Sequence, residues 1–173
     1  MDDAAQLHLA VCRRFGEAVG AAHGNWDRRS PCDAWDARGV LEHVIGFHDV
    51  LWLRPAGLKP DRPREDPRAR WQLTYAALVD ALESGAVARL KARVLMPNLT
   101  RDVLVHTWDL ARAVGADDRL DPAWCELCYA GLPADPRALA QSGMFSAPLP
   151  VGDESEPQAR LLARLGRDPA WRP

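Results

Sequence analysis

The chain has 173 residues, with 22 basic side chains against 24 acidic ones and a formal charge of −2. That length suits one domain with a sizeable core, and shares of 47% apolar and 27% charged residues are those of ordinary soluble proteins. Near-zero net charge removes the electrostatic argument for nucleic acid or an anionic membrane as partner, and no apolar run approaches the roughly 18–20 residues that span a bilayer.

The start, Met1-Asp2-Asp3, is acidic where a signal peptide would be basic, so the expected location is the cytoplasm. Cys12, Cys32, Cys125 and Cys128 are then expected to be reduced. Cys125-Glu-Leu-Cys128 has the spacing of zinc and redox sites, but no second pair accompanies it. It reads as two helical cysteines one turn apart, remote from any metal.

Period-2 alternation is almost absent, and the pattern is helical throughout. The first helix spans about 4–22, with Leu7, Val11, Phe15, Ala18 and Ala22 on its apolar side. A loop over 26–35 contains Ser30-Pro31-Cys32-Asp33. Asp36 is a good N-cap for a second helix reaching about Leu53, with Val40, Val44, Phe47 and Leu51 inward and Arg38, Glu42 and Asp49 wet. His43 and His48 lie on opposite margins between those sides. Pro60, Pro63 and Pro67 mark a surface loop, followed by a third helix over about 68–95, interrupted near Gly85. Pro97-Asn98-Leu99-Thr100 reads as the cap of a fourth helix, about 101–114, closed by Gly115. Short helices follow from Asp121-Pro122, from Asp135-Pro136 and over about 158–165, with an irregular stretch at 145–157. The expected architecture is all-α: a four-helix bundle over about 4–115, with short C-terminal helices and an irregular tail over 116–173, in a single domain.

The fourth helix carries the chemistry. At about 100° per residue, Asp102, His106 and Asp109 fall within about 60° of one another on a stripe with apolar flanks. Ionisable groups on such a stripe are costly to bury unless paired or metal-bound. A carboxylate and an imidazole one turn apart can chelate one divalent ion. Asp102 in a first turn would also suit the helix dipole, and His106 could be a hydrogen-bonded core residue. The third ligand could come from either His43 or His48; periodicity does not choose.

Ser30-Pro31-Cys32-Asp33-Ala34-Trp35-Asp36-Ala37-Arg38-Gly39-Val40-Leu41-Glu42-His43 resembles the (Thr/Ser)-Pro-Cys-x-x-Trp-x-x-Arg-x-(Val/Leu)-x-x-His signature of bacterial DinB-like helical bundles. It is similar in particular to the metal-binding domain of mycothiol-dependent maleylpyruvate isomerases and their short actinobacterial relatives. The run His106-Thr107-Trp108-Asp109-Leu110-Ala111-Arg112-Ala113-Val114-Gly115 is similar to the family's second signature, and the likeness covers residue 7 or so to the end. The resemblance implies that His43, Asp102 and His106 hold a divalent metal, with Asp102 where the family usually has Glu. It selects His43 over His48. It gives Asp109 and Trp35 supporting roles beside the ligands, and it offers Arg38 for binding an anionic cosubstrate, ranked below a plain salt bridge.

Two histidines and one carboxylate leave an open coordination position, the mark of a catalytic or ligand-binding site. Zinc is the implied metal, with nickel, iron(II) and manganese suited to the same donors. In the family the open position is thought to take the thiol of a cosubstrate such as mycothiol. The resemblance therefore implies a metal-dependent thiol S-transferase, or an enzyme of related thiol-assisted chemistry, acting on a small electrophile, as monomer or homodimer. The isomerase proper carries a further C-terminal domain, for which these residues leave no room, so isomerase activity ranks lower. A non-catalytic metal- or ligand-binding protein on the same scaffold is the alternative.

Overall fold

The computed structural model describes all residues except Ser142 and Asp153. Helix α1 covers Asp3–Ala21 and begins at Asp2, whose carboxylate accepts from the Ala5 amide. Helix α2 covers Ala37–His48, and Asp36 caps it by accepting from the Gly39 amide at 2.7 Å. Such caps satisfy donors that the first helical turn leaves unpaired. A single π-helical turn, Asp49–Leu53, extends α2 to the point where the sequence pattern ends. Helix α3 covers Pro67–Glu83, with Pro67 in the first turn behind the Asp66 cap.

The expected third helix does not run on to residue 95. Gly85 adopts φ 72°, and two short 3₁₀ turns, Val87–Arg89 and Lys91–Leu95, carry the chain to α4. Helix α4 covers Met96–Val114 and stops at Gly115 in the left-handed conformation. It begins five residues earlier than expected. Pro97 is accommodated in its first turn, and Thr100 is a mid-helix residue whose hydroxyl donates back to the Met96 carbonyl at 2.8 Å. Helices α5 (Pro122–Ala130), α6 (Ala138–Gln141) and α7 (Pro157–Arg164) follow.

α1 packs on α4 and α3, and α2 packs on the same two helices. The four form a closed ring, an all-α bundle. Phe15, Trp52, Leu78, Leu104 and Trp108 are fully buried at its centre. α4 buries residues on all sides, Arg101 and Asp109 as well as Val103, Val105 and Leu110, because other elements surround it. α5 and α7 pack on each other, and Gln158 of α7 donates to the Asp118 carbonyl and accepts from the Leu120 amide. Among the described residues, no helix is long and apolar enough to cross a membrane.

Asp49 departs from its expected wet position. It is 4% exposed and forms a two-pronged pair with Arg62, at 2.8 and 2.9 Å. Arg62 lies in the proline-rich loop, and helical periodicity has no means of seeing a partner outside the helix.

Candidate metal centre

The site is built where α2 faces α4. His43 Nε2 lies 3.2 Å from Asp102 Oδ2, and His106 Nε2 lies 3.5 Å from Asp102 Oδ1. The two imidazole ring centres are 4.7 Å apart, and the three residues' ligand atoms lie within 4.8 Å of one another. Ligand atoms at about 2.0–2.2 Å from one ion stand roughly 3–3.5 Å apart, so the donor set and its spacing fit a divalent cation. Asp102 sits in the second turn of α4, not the first, because the helix begins at Met96. Its position is therefore set by helix packing and owes little to the helix dipole, which acts within the first turn.

The two histidines are fixed from behind. His106 Nδ1 is 2.9 Å from Asp109 Oδ2, which orients the ring and leaves Nε2 facing Asp102. Asp109 is fully buried and is held in turn by Arg167, whose Nε donates to Oδ1 and Nη2 to Oδ2, both at 3.1 Å. His43 is stacked under Trp35, with ring centres 4.2 Å apart and planes 25° apart. The loop that carries Trp35 is pinned by Ser30, whose hydroxyl donates to the Trp35 carbonyl at 2.7 Å and accepts from the Cys32 amide at 3.1 Å. Gly39 makes the stacking possible: a Cβ there would stand 2.7 Å from Trp35 Cβ.

The electrostatics follow from this packing. Burial disfavours the charged form of His106, but Asp102 and then Asp109 outweigh it and raise the imidazole to about 9. Burial likewise opposes the Asp102 carboxylate, and His106 and His43 overcome that and hold it well below the usual range. Asp102 and Asp109 together thus favour positive charge on His106.

The cluster opens onto a cavity of about 580 Å³. Its apolar wall includes Trp35, Phe47, Leu51 and Phe145; its polar groups include Asn98, Arg101 and Arg167. Arg101 is 5% exposed, donates through Nη2 to Asn98 Oδ1 at 3.0 Å, and has a buried Nε with no partner among the described residues. Arg38 does not line this cavity. Its backbone N–H donates to the Trp26 carbonyl at 2.9 Å. The cationic residues facing the cavity are therefore ones that the sequence pattern did not single out. Arg167 lies in the irregular tail, where no periodicity marks it.

His48 does not belong to this group. It is fully buried on the other side of α2 in a second group of metal-competent side chains, with His8 and Cys12 of α1. The His8-x-x-x-Cys12 spacing, one turn on a helix, was the available sequence signal for it. Cys125 and Cys128 are both buried and unbridged and belong to neither group.

No family profile matches the chain. It is similar to two uncharacterised proteins of Mycobacterium tuberculosis, one from strain CDC 1551 / Oshkosh and one from strain H37Rv. Each is 29% identical over 150 residues, covering 80% of this chain and 82% of the relative. No solved structure matches.

Proposed function

We propose that the chain is a DinB-like metalloenzyme of small-molecule chemistry, with a divalent ion, zinc first among the candidates, held by His43, Asp102 and His106. The observation that carries this reading is the convergence of those three ligand atoms, within 4.8 Å of one another, at a 580 Å³ cavity. Three protein ligands facing a cavity leave an open position for a small molecule.

The reaction class is a thiol S-transfer to an electrophile. When bound, the cation supplies an open coordination position at which a thiol is deprotonated. The chain's own residues do the rest. Asp109 and Arg167 hold His106 in the ligating orientation. Trp35 and Phe47 flank His43 and keep that side of the site apolar. Trp35, Phe47, Leu51 and Phe145 offer an apolar bed for the electrophile, and the guanidinium of Arg101 in the cavity lining offers positive charge to a carboxylate on the thiol or on the acceptor. The thiol itself, of the mycothiol type, is supported by the resemblance of the two signature runs, and the cytoplasm is where such a thiol is kept reduced.

The test has two parts. Protein purified without chelator should carry about one equivalent of divalent metal, lost in His106→Ala. The metal-replete protein should turn over electrophilic test substrates only when a low-molecular-weight thiol is present. Absence of metal in the wild type would overturn the proposal. Metal without thiol-dependent turnover would leave a binding protein in place of an enzyme.

A further inference from the structure

We propose that His8, Cys12 and His48 form a second, closed metal site, of a chemistry different from the first, which takes copper(I). His8 Nε2 lies 3.0 Å from His48 Nε2, and Cys12 Sγ lies 3.4 Å from the first and 3.9 Å from the second. Nitrogen and sulfur ligands at about 2.0–2.3 Å from a common centre stand roughly 3.3–3.7 Å apart. The observed triangle brackets that range, so an ion is admitted by shifts of a few tenths of an ångström.

The outer nitrogens settle which atoms face inward. His48 Nδ1 lies 2.7 Å from the Val44 carbonyl, which accepts only, so Nδ1 carries the hydrogen and Nε2 of the neutral ring carries a lone pair. His8 Nδ1 lies 2.9 Å from Thr100 Oγ1, whose own hydrogen goes to the Met96 carbonyl. With Thr100 so committed, His8 Nδ1 donates and its Nε2 also presents a lone pair. Two lone pairs 3.0 Å apart repel unless something positive lies between them. A proton can relieve this by turning the Thr100 hydroxyl toward His8 and moving to Nε2. A metal ion relieves it with Thr100 left where it is and takes the sulfur as well.

The surroundings select the ion. All three residues are fully buried, and Trp52 packs edge-on against His8 and His48, with ring centres at 4.9 and 5.8 Å. Among the described residues, no further His, Cys, Asp or Glu joins the group. Structural zinc asks for four ligands. A soft thiolate with two imidazoles and no fourth donor suits copper(I) at low coordination number. Binding involves no change of oxidation state: copper(I) enters, the Cys12 S–H proton leaves to solvent, and the sulfur binds as thiolate. Burial keeps the free thiol protonated, so the thiolate forms only with the ion.

The probe is copper(I) itself, added anaerobically and challenged with bicinchoninate. Wild type should retain one copper(I) per chain after prolonged incubation. His106→Ala and the Cys125→Ala/Cys128→Ala double variant should retain it as well. Cys12→Ser should weaken binding at least tenfold. Copper-edge X-ray absorption on wild type, which depends on no variant's folding, should give one sulfur and two nitrogens in three-coordination. Complete loss of copper to bicinchoninate, a two-sulfur signal, or unchanged affinity in a folded Cys12→Ser would each overturn the assignment.

Discussion

Asp102 divides its two oxygens between two histidines, one at 3.2 Å and one at 3.5 Å. Its side chain is 16% exposed, on the cavity side, so a longer carboxylate has room to fold there. Asp102→Glu should therefore retain or tighten divalent binding. Asp102→Asn keeps the shape but removes the charge that offsets the cation, and should weaken binding roughly tenfold or more, as losses around metal sites commonly do. His48→Ala should leave zinc affinity at this centre unchanged, because His48 Nε2 faces His8 on the far side of α2. Competition with a chelating dye at fixed pH reads all three. Wild-type affinity in Asp102→Asn, together with loss in His48→Ala, would put His48 into the site in place of Asp102.

Among the elements, α2 and α4 were the most legible in sequence. Their apolar stripes were continuous, and Asp36 and Gly115 marked a start and a stop through their own backbone chemistry. The start of α4 was obscured because Pro97-Asn98-Leu99-Thr100 satisfies the composition of a cap as well as that of a first turn. The facing of His43 and His106 was legible only through the resemblance, since a histidine on a helix margin has no periodic signature. Arg167 escaped because its partner Asp109 lies on another element, and the one-turn spacing of His8 and Cys12 gains meaning only when His48 joins them from α2. Gly39 shows how tightly the elements constrain each other. Its missing Cβ is the space Trp35 occupies, so Gly39→Ala must push the indole off His43 even though alanine is the better helix former. The expected result is a loss of about 1–3 kcal/mol, as for overpacking, together with weaker metal binding. A urea titration showing Gly39→Ala as stable as wild type would mean that the loop moves freely.

At the scale of the whole molecule, the C-terminal segment is part of the site. Phe145, Ser146 and Gly166 line the cavity, and Arg167 closes onto Asp109 in the middle of α4. Removing Arg167 leaves Asp109 buried with His106 as its remaining partner, at a cost of about 3 kcal/mol, the lower end for a broken buried pair. Arg167→Met should lose about that much stability, and Arg167→Met with Asp109→Asn should recover part of it, as contacting partners do in a double-mutant cycle. Strict additivity of the two changes would show that the pair is not coupled.

The buried titratable groups of both clusters set how the chelated protein responds to pH, and they act with opposite sign. His106 is raised from 6.5 to about 9 by Asp102 and Asp109 against the cost of burial. Its contribution to stability is full below about pH 6.5 and is lost as pH rises toward 9. Burial depresses His8 and His48, His48 to about 4. Their contribution is present above about pH 6.5 and is lost as pH falls, because the unfolded chain then takes up protons that the folded chain refuses. Asp102 and Asp109 are held low by His106, with His43 and Arg167 beside them, and they extend the acid loss below their ordinary range. Each proton held by one state alone tilts stability by about 1.4 kcal/mol per pH unit. Urea midpoints of the chelated protein should therefore peak near pH 6.5 and fall on both sides. If zinc binds as proposed it would hold His106 neutral, so the metal-replete protein should lose the alkaline limb and keep the acid one. Chelated protein equally stable at about pH 6.5 and pH 9 would show that His106 is neutral in the fold and that Asp102 is not paired with it.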